Sequence, residues 1–131
     1  MYSFSTELKQ AHTDFDDALN IIRAAFVAEK MGIVSEINVK GIFKKKLDID
    51  YDDYTILGAC MAPLAKRVLD VDINAGVLLP CNVAVRQQNN KIIITFMHPQ
   101  AISDMVDDPE IAKVANEALQ KLEAVKARLG D

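Results

Sequence analysis

Two cysteines are the residues of this chain with the most chemical reach, and each is set in an unusual apolar phrase. Cys60 falls in Ile56-Leu57-Gly58-Ala59-Cys60-Met61-Ala62-Pro63-Leu64-Ala65, and Cys81 in Gly76-Val77-Leu78-Leu79-Pro80-Cys81-Asn82-Val83. The first phrase reads as a strand, Tyr54 to Cys60, that passes into a helix opened by Pro63. A sulfur at such a junction meets unpaired backbone N–H groups and the positive end of a helix dipole, both of which favour thiolate. That placement suits a nucleophile, a redox thiol or a sulfur carrier. The competing reading is a small buried hydrophobe in a tight junction, because cysteine is among the most buried residue types. Cys81 reads as a core thiol on a strand Gly76 to Gln87, sharing a face with Val77, Leu79, Val83 and Val85. Pro80 cannot donate to a sheet ladder and marks an edge or a bulge. Asn82 then projects to the other face with Arg86. If the strands carrying the two cysteines are neighbours, the thiols approach each other.

Other groups carry weaker signals. A soft-ligand site built from Cys60, Cys81 and His98 is conceivable, but no CxxC pair gives the spacing of a redox or zinc motif. The sequence therefore assigns no metal ligand and calls for no cofactor. His12 reads as a solvated residue ahead of the first helix. Asp48-x-Asp50-x-Asp52 opens like a calcium-binding loop, yet Asp53 stands where the turn needs glycine and Ala59 where a bidentate glutamate is required. A solvated acidic loop, Asp48 to Asp53, is the reading that remains. No phosphate-cradling glycine loop, HExxH or GxSxG occurs, so no catalytic residue is assigned and Cys60 is the one candidate.

The elements that must position these groups follow from periodicity. Tyr2, Phe4, Thr6 and Leu8 alternate with polar residues as a first strand. Thr13 is expected to cap a helix running to about Lys30, with Phe15, Ala18, Leu19, Ile22 and Phe26 at helical spacing and Gly32 ending it. Ile33 to Ile37 is a second strand. Asn38 can cap a short helix whose apolar positions are Val39, Ile42, Phe43 and Leu47, with Lys44 to Lys46 in its last turn, where cations suit the dipole. Pro63 to about Leu69 is a third helix. Asn89-Asn90 is a tight turn into a fifth strand, Lys91 to Met97, antiparallel to the fourth. A short helix or turn follows His98-Pro99. Asp108 and Pro109 then open a long helix with its apolar stripe from Ile111 to Leu129, stopped by Gly130. The expected fold class is α+β: two layers, a roughly five-stranded mixed or antiparallel sheet, helices mainly on one face and a long C-terminal helix.

Composition sets the outer limits. At 131 residues with 50% hydrophobic and 26% charged side chains, the chain suits a single domain over 1–131 with a core of its own. A net charge of −4 opposes nucleic-acid binding, which needs a clustered basic surface. The longest apolar run, Ile56 to Ala65, is too short for a membrane helix, which needs about 20 residues. The N-terminus shows no basic or apolar signal region. A cytoplasmic protein with reduced thiols is therefore expected.

Three segments together resemble the domain-of-unknown-function 302 family: Gly32 to Val39, Tyr54 to Cys60, and Gly76 to Val83. The likeness spans about residues 1 to 105, and the last helix matches in kind. It implies a compact α+β domain that forms homodimers, and it marks Glu36, Tyr54, Gly58, Cys60, Pro63, Leu64, Ala65, Pro80, Cys81 and Asn82 as positions of the family pattern. The chain departs from that pattern at Met61 and Ala62, where asparagine and proline are usual, at His98, where an acidic residue is usual, and at Asn38. With the resemblance, the expected function is a small homodimeric ligand- or partner-binding module with a site near Glu36, Cys60, Cys81 and Asn82. The alternatives are thiol-dependent redox or sulfur transfer at Cys60 with Cys81, and a metal-binding domain.

Overall fold

The computed structural model describes residues 1–10 and 14–130. Its elements are β1 (Ser3–Glu7), α1 (Phe15–Ala28), β2 (Gly32–Asn38), α2 (Val39–Leu47), β3 (Tyr54–Cys60), α3 (Ala62–Val71), a 3₁₀ turn (Ile73–Leu78), β4 (Cys81–Gln88), β5 (Lys91–Met97), α4 (Gln100–Met105) and α5 (Pro109–Leu129). The strands form one sheet in the order β1-β5-β4-β3-β2, and every neighbouring pair is antiparallel. The expected α+β architecture is the one observed, with a purely antiparallel sheet.

One sheet face is the core. Leu57, Val83, Val85, Ile94 and Phe96 alternate along the three central strands and are fully buried. Ala18, Leu19, Ile22 and Phe26 of α1 and Leu122, Val125 and Leu129 of α5 close over them. Burying each of the larger side chains among these contributes about 1.5–3 kcal/mol before the entropy of ordering is subtracted. A second, smaller cluster joins Val68 of α3, Ala75 of the 3₁₀ turn, Ile102 of α4, and Ile111 and Val114 of α5. Arg67 straps the outer side of this cluster, reaching from α3 to Glu110 and Glu117 on α5. The opposite sheet face is polar at its centre: Ser5 and Thr95 share a hydrogen bond of 2.8 Å, and Arg86 donates to Thr95 at 3.2 Å and to Gln88 at 3.0 Å. None of the described helices is long and apolar enough to cross a membrane.

Most local signals hold. The Asn38 side chain accepts from Gly41 N–H, and Asp108 from Glu110 and Ile111 N–H. Asn89 and Asn90 both take positive φ, as the β4–β5 turn requires.

Three expectations need correction. The first concerns the end of α1. The left-handed residue there is Lys30, with φ 62°, and Gly32 is an extended residue opening β2. The cap at the start of that helix is Asp14, which accepts from Asp16 N–H, while His12 and Thr13 lie outside the described residues. The second is the fourth strand. It starts at Cys81, because Asp72 caps a 3₁₀ turn that takes Gly76, Val77 and Leu78 out of the sheet and leaves Val77 89% exposed. The third is Pro80. It marks neither an edge strand nor a bulge: it immediately precedes β4, which lies inside the sheet, and the register shift lies in β2 between Ile33 and Ser35.

Candidate functional site

Antiparallel pairing brings the cysteines to the same end of the sheet. Ala59 is opposite Cys81, and Gly58 is opposite Asn82. Chain reversal on either side of that pair is tight. Beyond Cys60 the chain enters α3 at once, with Met61 as an N-cap that offers no side-chain bond and with Pro63 in the first turn. Before Cys81 the Leu79–Pro80 peptide is cis. Pro80 lies over Gly58: a Cβ at 58 would stand 2.7 Å from the Pro80 Cγ and closer still to the Ser35 Oγ. Gly58 is thus the only residue type that lets β2 and the Pro80 turn close on β3 together.

The two thiols share a cavity between this sheet end, α3, α4 and α5. Its walls are hydrocarbon and sulfur: Met31, Cys60, Met61, Leu79, Cys81 and Ile102 among others. Its volume is about 40 Å³, room for a few waters at roughly 10–15 Å³ each but not for a metabolite. Burial pushes the Cys81 thiol up to about 11, and the neighbouring Cys60 adds to the rise. Cys81 is therefore a protonated thiol at neutral pH. Cys60 is only partly buried.

The other expected site residues are elsewhere. Asn82 is exposed and lines a separate outer groove of about 200 Å³ with Val77, Met97 and Met105, which neither cysteine lines. Leu79 and Pro80 line both spaces and form the wall between them. Glu36 is opposite Leu57 in the ladder, further along β2, and is held at 2.5 Å by Arg23 of α1. His98 accepts from Gln100 N–H through Nδ1 and packs edge-on against Phe4, in a groove with Leu119 and Glu123. Among the described residues, no three histidine, cysteine, aspartate or glutamate side chains form a metal-holding cluster.

Sequence reasoning passed over two features. Met31 completes the thiol cavity; its signal was its place just before Gly32, the residue that pairs with Cys60. The acidic loop folds beside Arg86 into a groove of about 430 Å³ with Tyr51, Asp52, Asp53 and Tyr54. Only the alternation that put Arg86 on the open face hinted at it.

The fold and site define a two-layer α+β domain with a small, sulfur-lined cavity where β3 enters α3. Residues 5–129 match the domain of unknown function DUF302, and the chain belongs to that family. Among solved structures, an uncharacterised conserved DUF302 protein from Bacillus stearothermophilus is similar, with a TM-score of 0.87, 23% identity and 98% of each chain covered. At that identity the likeness is one of fold. Comparison with curated proteins gives no match.

Proposed function

We propose that this protein is a binding module that acts as a homodimer and receives a ligand or partner in the groove beside Asn82. The observation that carries the dimer is α2. Its apolar residues recur at helical spacing, yet none is buried. Val34, Ile37, Ile42, Leu47, Ile49 and Tyr51 are all exposed within one short stretch of chain, Leu47 by 61%. Lys45, Lys46 and Asp52, of opposite sign, are exposed within the same stretch. Contiguous apolar surface rimmed by charge marks an interaction site, and a two-fold contact would place each sign against the other. The thiol cavity is too small for a metabolite, so docking of a larger molecule falls to the outer groove, where Val77 and Met105 are exposed. Partly buried free thiols suit a reducing compartment, which supports the cytoplasm as the place of action.

Analytical ultracentrifugation tests the dimer. A dimer at micromolar concentration that Leu47→Glu converts to a folded monomer supports the reading, and a wild-type monomer at every concentration removes it. A metabolite panel followed by amide shifts tests the groove: shifts at Val77, Asn82 and Met105 support it, and shifts confined to other surfaces oppose it.

A second reading is thiol chemistry at Cys60, favoured by its partial exposure at the start of α3. Cys81, which holds its proton at neutral pH, is the poorer nucleophile of the two. Alkylation of Cys60 in the native protein, with a rate that saturates below the ordinary thiol range, supports this reading. A Cys60 that reacts only after unfolding ends it.

A further inference from the structure

Both cysteines and two of the five methionines of this chain line one cavity. Their meeting follows from strand register. Met31 immediately precedes Gly32, which pairs with Cys60; Met61 follows Cys60; and Cys81 pairs with Ala59. Three adjacent strands therefore end together with sulfur at each end. Met31 is 2% exposed and its N–H donates to Phe26 O at 2.9 Å, so its place is fixed by α1.

We propose that this cavity is a binding site for a soft monovalent ion with a filled d shell, Cu(I) in biological chemistry, with Cys60 and Cys81 as thiolate ligands and Met31 and Met61 as thioether neighbours. Size and chemistry both select that class. About 40 Å³ accepts a bare ion and excludes a chelate or a metabolite. No carboxylate, imidazole, amide or hydroxyl side chain lines the cavity, so calcium and magnesium find no side-chain oxygen and zinc finds no set of nitrogen or carboxylate partners. Thiolate and thioether sulfur are the ligands that select Cu(I). Binding exchanges the two S–H protons, which leave to solvent, for one Cu(I); the metal stays monovalent and nothing is oxidised. The loaded site carries one net negative charge. The N-terminus of α3, which no side chain caps, begins two residues after Cys60, where a helix dipole favours negative charge. The inference stands on the cavity alone and is independent of the dimer and of the Asn82 groove.

The test is anaerobic transfer of Cu(I) from its coloured bicinchoninate complex to the full chain under reductant. One Cu(I) per chain is expected to leave the chelator, and zinc supplied in the same way is expected to remain free. Cys60→Ser and Cys81→Ser should each weaken binding by about 100-fold or more, and Met31→Leu and Met61→Leu by about 10-fold, the scale on which a shell of supporting ligands tunes a metal. Leucine keeps the volume of methionine, so these two variants remain folded. X-ray absorption of the loaded wild-type protein gives a separate readout: a first shell of sulfur alone is expected. Copper that stays on the chelator, equal transfer to the Cys60→Ser/Cys81→Ser double variant, or a first shell of nitrogen or oxygen would each overturn the proposal.

Discussion

Gly58→Ala is the perturbation that most directly tests how this end of the sheet is assembled. The added methyl would lie 2.7 Å from Pro80 Cγ and nearer still to Ser35 Oγ. Carbon atoms pack best at about 3.5–4.0 Å, so both contacts must open by a large part of an ångström. The Ser35 hydroxyl can turn away by rotating about χ1. The Pro80 ring cannot, because its position is set by backbone, and relief there requires the Leu79–Cys81 segment to move. Overpacking of this kind costs about 1–3 kcal/mol, and the rigid partner places Gly58 in the upper half of that range. Against it, alanine removes about 0.4–1 kcal/mol of unfolded-chain entropy. The expected net destabilisation is thus roughly 1–2.6 kcal/mol, read from urea unfolding as a lower midpoint at unchanged slope. In a Ser35→Ala background only the proline contact remains, and the cost should fall by about 0.5 kcal/mol or more, a coupling of the size that touching residues show. Because Pro80 is the wall between the thiol cavity and the outer groove, Gly58→Ala should also speed alkylation of Cys81 in the native state. A Gly58→Ala protein as stable as wild type, with unaltered Cys81 reactivity, would refute the reasoning.

Three further outcomes are expected. The folded Cys81 thiol holds its proton up to about 11 while the unfolded one releases it near 9.0; between these values the folded state binds more protons, so stability falls as pH rises, by roughly 2–3 kcal/mol relative to Cys81→Ser, which does not ionise there. A difference between the two proteins that is flat from about pH 8 to 11 contradicts the buried thiol. Asp108→Ala removes the acceptor of two N–H bonds at the start of α5 and should cost about 1 kcal/mol in chemical unfolding, with Asp108→Asn recovering most of it; equal losses would mean that charge rather than capping matters. Phe96→Ala empties the centre of the core between Phe4 and Phe26 and should cost about 3–5 kcal/mol by the same assay; a loss under 1 kcal/mol would mean the helices collapse onto the sheet more freely than this packing allows.

What the sequence alone determined was local. β3 and β5 lie where alternation and flanking polar residues put them, Tyr54–Cys60 and Lys91–Met97, because a strand's pattern is carried by its own residues. Asn38, Asp108 and the Asn89-Asn90 turn act as written, since a cap or a turn needs only backbone groups two or three positions away. The tertiary structure decided whatever depends on distant partners. The run from Gly76 to Leu79 is apolar enough for a strand, but packing of Ala75 beneath α3 and α5 turns it into 3₁₀ and delays β4 to Cys81. The paired phrases around Cys60 and Cys81 could suggest one site with Asn82, yet the pleat sends Asn82 to the face opposite Cys81, and Leu79 and Pro80 form the wall between the thiol cavity and the groove that Asn82 lines. Met31 reached the cavity only through the register of β2 on β3. Hydrophobic pattern names the residues that must be covered; which residues cover them is settled when non-local strands choose their neighbours, and no short-range signal encodes that choice.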